Sequence, residues 1–229
     1  MHQIDNVGFS LFSRIPGIAA KSLYFCKEII DRCVDLRPVV YDCWPKVPCI
    51  NFCGAYSKEQ ECPKCHEERF QILGTTKKVR KSFTYIPLRP RIHAFFGQAE
   101  LASRILEYPT EVMNRCQDEP GAVMDFWNGD LTKRLREAGY FKTKTEIALT
   151  LSVDGVQLVK KGTHQVWPIM GVIMNHPPDK RYNKQNLLLF GAIPGPNTPR
   201  DIFSFLGPLL EEIKELSETG MTVWNAAQE

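Results

Sequence analysis

No apolar run in the 229-residue chain approaches the roughly 20 residues that a bilayer-spanning helix needs, so a membrane protein is not expected. The start, MHQIDNVGFS, carries an early acid and lacks the apolar core of a secretion signal. An intracellular chain is the expectation. Charge of one sign is lacking too: 29 Lys and Arg against 26 Asp and Glu leave a net +3, so global charge does not name nucleic acid as a partner. Internal repeats and low-complexity tracts are absent, and no motif asks for a small-molecule cofactor. What is present is a composition with 43% hydrophobic residues, enough to bury a core in one or two domains. Eight cysteines without a secretion signal argue for reduced thiols, some of them holding metal, rather than for a disulfide framework.

Four segments follow from texture. Residues 1–40 hold one amphipathic helix over 18–36, with Cys26 and Cys33 on nearly the same face, ended by Arg37-Pro38. Residues 41–76 lose periodicity and fill with cysteine, proline and glycine. Residues 77–144 form a basic and helical linker, with helices around 98–107 and 118–138, the second broken near Asn128-Gly129 and closed by Gly139. From 145 onward, IALTLSV, QVWPIMGVIM and NLLLFGAI read as three strands separated by turns, an antiparallel meander. A helix then opens with Thr198 as N-cap and Pro199 at its first position, ends at Gly220, and meets a possible kink at Pro208. Its stripe of Ile202, Leu206, Leu209, Ile213 and Leu216 covers one face of the sheet. MTVWN, from Met221, reads as the start of a fourth strand. The fold class expected is α+β.

Three signals carry chemistry. Five residues separate Cys43 from Cys49, twelve separate Cys49 from Cys62, and two separate Cys62 from Cys65, in the knuckle-like form CPKC that bites tetrahedral zinc with paired thiolates. Scattered buried thiols are the other reading. Cys53 competes for Cys49, and His66, adjacent to Cys65, is badly placed as a ligand. Four cysteines would leave no open coordination position, so the zinc would be structural. Second, Lys77, Lys78, Arg80, Lys81, Arg89 and Arg91 lie within an acid-free stretch interleaved with Phe83 and Tyr85, a pattern that neutralises phosphates while aromatic faces stack or pack. A solvated loop beside a half-buried FTYIPL strand is the alternative. Third, Asp154 ends an apolar strand just before Gly155, where a sheet displays a metal-binding carboxylate. Asp-Gly is also a favoured hairpin dipeptide, and the residues alone favour that turn.

In order along the chain, YDC followed by Cys49, CPKCHEERF, KSFTYIPLRPR, LSVDG, VWPIMGV, NHPP, LLLFGAIPGP and PRDIFSFLGPLLEEI resemble the CACTA (En/Spm-like) transposases of the fungal type, from about Tyr41 to Leu216. The resemblance implies a zinc-ribbon-like segment, then the start of a ribonuclease H-like fold of the DDE type, a β-β-β-α unit with Asp154 as the first catalytic carboxylate. It implies DNA as partner, a nuclear location, structural zinc, and magnesium ions that hold the attacking and leaving oxygens of phosphoryl transfer. The sequence departs from the family at Val156, where an aromatic is usual, at His176, read as an exposed turn histidine, and in its wider first cysteine pair. The second and third acids belong to later elements, and Asp179 and Asp201 lie in the wrong ones to replace them. The resemblance therefore implies a truncated, inactive transposase with an uncovered sheet edge prone to self-association. A non-catalytic zinc-containing module that binds DNA or protein, and an inert relic, are the alternatives.

Overall fold

The computed structural model describes residues 36–43, 49–118, 123–157, 165–195 and 197–228. The helix expected over 18–36, with Cys26 and Cys33, falls almost wholly outside them. Pro38–Glu229 forms one compact unit.

Strand β1 (Val39–Cys43) opens that unit, followed by a cysteine-rich loop and a hairpin of β2 (Phe70–Leu73) and β3 (Thr76–Val79), whose turn places Gly74 at φ 62. Strand β4 (Lys81–Tyr85) returns antiparallel to β1, Val39 opposite Tyr85 and Cys43 opposite Lys81. Its alternation of exposed Ser82 and Thr84 with buried Phe83 and Tyr85 is the half-buried strand that FTYIPL predicts.

Two helices follow, α1 (Arg89–Phe96) and α2 (Ala99–Asp118). The second outruns the expected 98–107, because Ala102, Ile105 and Val112 extend one buried face past Pro109. A short 3-10 turn at Phe126–Asn128 then leads into α3 (Asp130–Glu137), so the break expected near Asn128-Gly129 is real but separates a turn from a two-turn helix.

The principal sheet contains β5 (Leu149–Val153), the two-residue β6 (Val156–Gln157), β7 (Gln165–Ile173) and β8 (Leu187–Pro194), with a short helix α4 (Pro178–Arg181) between the last two. β7 lies in the middle, antiparallel to β5 and β6 on one side and to β8 on the other, which is the expected meander. Helix α5 (Ile202–Thr219) follows. Its buried Phe205 and Leu209, with Ile202, Leu206, Ile213 and Leu216 partly buried, pack on the face built by Ile169, Ile173, Leu188, Phe190 and Ile193. Each such side chain, fully buried, is worth about 1.5–3 kcal/mol.

Several local expectations change. The N-cap of α5 is Asp201 and not Thr198: its carboxylate accepts from Ser204 N at 3.2 Å while Ser204 Oγ donates to its carbonyl at 2.7 Å. Pro208 is buried inside α5 without ending it. Met221 and Val223 pack against the core, but 221–225 adopts no strand among the described residues. His176 is not exposed. It is 1% accessible, its ring edge-on to Phe95 at 5.6 Å, because the turn after β7 folds under α1.

Strand β4 and the chain after it are part of the principal core. At Phe190 the register of β7 and β8 shifts, and the freed Phe190 carbonyl accepts from Ile86 N at 2.8 Å. Phe83 meets Phe205 edge to face at 5.4 Å and lies so close to Gly191 that a Cβ there would come within 2.6 Å of the ring. Glycine at 191 is what lets β4 approach β8.

Candidate functional site

The CPKC turn forms by backbone hydrogen bonding: Cys65 N and His66 N both donate to Cys62 O, at 3.3 and 2.8 Å, with His66 left-handed at φ 56. The turn swings the His66 side chain outward to Glu61, 3.7 Å away, and leaves both cysteines facing inward. Cys49 arrives from the other side, and the Sγ atoms of Cys49, Cys62 and Cys65 lie within 4.8 Å of one another. Tetrahedral zinc with bonds near 2.3 Å spaces its sulfurs about 3.8 Å apart, so closure asks for a contraction of about an ångström at most. The three residues fit such an ion.

Cys43 does not join them. It is buried in the principal core beside Phe83, opposite Lys81, and burial drives its thiol up to about 12. Cys53 donates to Ser204 O at 3.1 Å and accepts from Asn51 Nδ2. Burial, then the neighbouring Cys65 and Cys62 sulfurs, push the Cys49 thiol to about 12, and burial also raises Cys62. A cation among these sulfurs would relieve that crowding by taking them as thiolates.

The thiol cluster is fastened to the start of α5. Asp201 N donates to Cys49 O at 2.9 Å, and its carboxylate takes Lys64 of the CPKC turn at 3.1 Å and Tyr56 Oη at 3.2 Å. Asn51 N donates to Ser204 Oγ at 2.9 Å. Burial alone would raise Asp201, but Lys64, Ser204 N and Tyr56 hold its carboxyl below the usual range. None of these partners is visible as a pair in the sequence.

The six basic residues divide. Arg91 donates to Ile86 O and Pro87 O at 2.6 and 3.0 Å and lies over the Phe190 ring at 4.6 Å, so it holds the chain to the sheet. Arg89 pairs with Glu215 at 3.0 Å, and its N–H, with that of Leu88, donates to the Glu212 carboxylate, which also accepts from Tyr85 Oη. Arg80 pairs with Glu67 at 3.2 Å. Lys81 lies in β4 beside Cys43. Lys77 and Lys78 stand exposed on the β2–β3 hairpin, Lys77 bonded to Gln60 at 2.9 Å and lying over the Phe70 ring, with Ile72 and Leu73 exposed beside them.

Asp154 is not in a hairpin turn. β5 and β6 keep one register against β7, Val153 opposite Ile169 and Val156 opposite Val166, with two residues between on each strand. Asp154 and Gly155 thus lie across from Pro168 and Trp167 in a gap of one long arm. Pro168 brings no N–H to the ladder, and the Trp167 indole lies where a Cβ on Gly155 would be 2.9 Å from its ring. Released from pairing, Asp154 is exposed, one oxygen accepting from Gly155 N at 2.7 Å. Among the described residues no group of three metal-binding side chains gathers there. One carboxylate fits a single contact to a cation, not a two-magnesium cage. Asp179 lies exposed on α4 and Asp201 in the N-cap of α5.

One buried ion pair was illegible in the sequence. Arg181 meets the Asp125 carboxylate at 2.6 and 2.8 Å and donates to the His176 and Met174 carbonyls at 3.0 and 2.9 Å.

A meander of three strands with an acid released from its first arm and a helix laid across it defines an α+β unit of the kind that displays a carboxylate at a sheet surface. Residues 131–229, which contain this unit, match the model of a transposase family, described as transposase family tnp2. That similarity supports a transposase family for this part of the chain. Neither curated proteins nor solved structures gave a match. Among the described residues no helix is long and apolar enough to cross a membrane.

Proposed function

We propose that this chain is a DNA-binding module of CACTA-type transposase lineage, built on a ribonuclease H-like β-β-β-α unit whose first carboxylate is Asp154. The observation that carries the reading is the coincidence of the family match over 131–229 with a β5–β7–β8 meander that releases Asp154 from its ladder. In such a unit Asp154 would touch one divalent cation at the scissile phosphate. Among the described residues no group of three metal-binding side chains gathers at Asp154, so binding rather than strand cleavage is the role proposed for them. Structural zinc would be held by Cys49, Cys62 and Cys65, with Cys43 serving the core instead. Such a protein acts in the nucleus.

DNA would meet the hairpin lysines first. Lys77 and Lys78 reach solvent, whereas Arg89 is paired with Glu215 and Arg91 is bonded to the Ile86 and Pro87 carbonyls. The test is duplex binding by the intact chain, followed by fluorescence anisotropy across salt. Affinity falls as salt rises, and the charge reversal Lys77→Glu with Lys78→Glu lowers the magnitude of the salt slope by about two. Binding that ignores salt, or no binding at low salt, contradicts the reading.

A further inference from the structure

The chain between α3 and β5 makes a cleft that none of the three signals uses. Its volume is about 320 Å³, at the lower end of pockets for small ligands. Arg136 from α3 and Lys142 and Lys144 from the following loop line it, and all three are exposed. None has an ion-pair partner among the described residues. The one carboxylate in the lining, Glu146, turns away into the backbone: it accepts from Phe141 N at 2.6 Å, from Lys142 N and Thr143 N at 2.9 Å each, and from Thr143 Oγ1 at 3.1 Å. Burial would raise Glu146, yet these donors keep its carboxyl below the usual range, so it stays a carboxylate whose oxygens are engaged by the loop backbone and Thr143.

The floor is aromatic. Phe141 stands edge-on to Trp127 at 5.4 Å, and Asn114 and Thr110 add amide and hydroxyl groups from α2. Phe141 has φ 54, a backbone state that a bulky side chain rarely adopts. The Glu146 bonds to three successive N–H groups hold it there, which sets Lys142 and Lys144 at the rim while Phe141 stays within. Three cations without ion pairs, beside an edge-to-face aromatic pair and a few amide and hydroxyl groups, match a nucleoside phosphate. The cleft is too small for a duplex.

We propose that this cleft takes one unpaired nucleotide of a DNA strand, with the flanking phosphates at Arg136, Lys142 and Lys144 and the base against Phe141. The inference deepens the DNA-binding reading and rests on it. A stacked base is sequence-tolerant, since every base has an aromatic face, so the cleft selects strand ends or splayed positions rather than sequence.

The test uses the intact chain with three labelled probes: a blunt duplex, a single strand, and a duplex with 2-aminopurine in a short overhang. The proposal expects the overhang and single strand to bind more tightly than the blunt duplex, with quenched 2-aminopurine fluorescence. Lys142→Glu with Lys144→Glu should weaken overhang binding about tenfold or more while leaving the thermal midpoint unchanged. The hairpin reversal at Lys77 and Lys78 should weaken binding to all three probes but leave quenching intact at saturation. If the Lys142 and Lys144 variant binds the overhang like the unaltered chain, the cleft proposal fails while the DNA-binding reading stands. If dAMP binds and is lost in that variant but the overhang shows neither preference nor quenching, the site is one for free nucleotides and the proposal fails. No binding of any DNA by the unaltered chain overturns both.

Discussion

Asp125 and Arg181 carry the largest electrostatic stake of any described pair, since both side chains are nearly inaccessible and the guanidinium also satisfies the carbonyls of Met174 and His176. Burial would raise the Asp125 carboxyl, but Arg181, Phe126 N and Tyr108 Oη together lower it. A carboxyl lowered on folding stabilises the fold above its unfolded value near 4, and the stabilisation is lost as pH falls through the lower folded value. Asp125→Asn leaves Arg181 charged and unpaired, and we expect it to cost about 3–5 kcal/mol in urea unfolding at neutral pH. The deficit should shrink on acidification, as the unaltered chain loses the same interaction. An equal deficit at all pH values would mean that packing, not charge, is what the substitution removes. His176 lies beside this pair with Nε2 buried and unbonded, and burial, followed by the charge of Arg181, lowers its pKa, which favours the neutral ring.

Among elements, the cysteine-rich loop and α5 behave as one joint. Lys64 and Tyr56 on the loop meet Asp201, Cys49 O accepts the N-cap amide, and Ser204 receives Asn51 N and Cys53 Sγ. Metal at Cys49, Cys62 and Cys65 would therefore stiffen the first turn of α5 as well as the loop. With one zinc bound per chain, removal by a chelator should speed amide exchange at Ser204 and Phe205 while β7 stays protected. Cys62→Ser should abolish zinc binding, measured by metal analysis of the purified chain, whereas Cys43→Ser should retain it at the cost of core packing. Zinc lost equally in both variants would restore Cys43 as a ligand. The joint was illegible because its partners are far apart in sequence and several of its bonds run through backbone atoms, which leave no pattern in side-chain type. The strands of the meander were legible, because β7 and β8 are long apolar runs bounded by turn residues. The gap at Asp154 was not: Asp-Gly announces a turn, and only the pairing of the arms shows that Pro168 lies across from it.

For the whole molecule, the cysteine-rich loop, the basic strand and the meander share one body. The sequence suggested separate segments because composition changes sharply at 77 and 145, yet Phe83, Tyr85 and Leu88 belong to the same core as Ile169, Phe190 and Leu209. Apolar side chains remain outside it, with Leu187 and Leu189 on β8, Phe203 on α5 and Trp224 all at least 40% exposed. The family match spans 131–229 and contains Asp154, while the exposed hairpin lysines precede it in the sequence, and the proposed function has DNA meet both. A photoreactive residue in place of Val156, exposed two positions beyond Asp154, measures this directly when the complex with duplex DNA is irradiated. The account predicts a DNA adduct from position 156 and none from the same residue placed at Glu218 on the far end of α5. Adducts from 218 with none from 156 would contradict it.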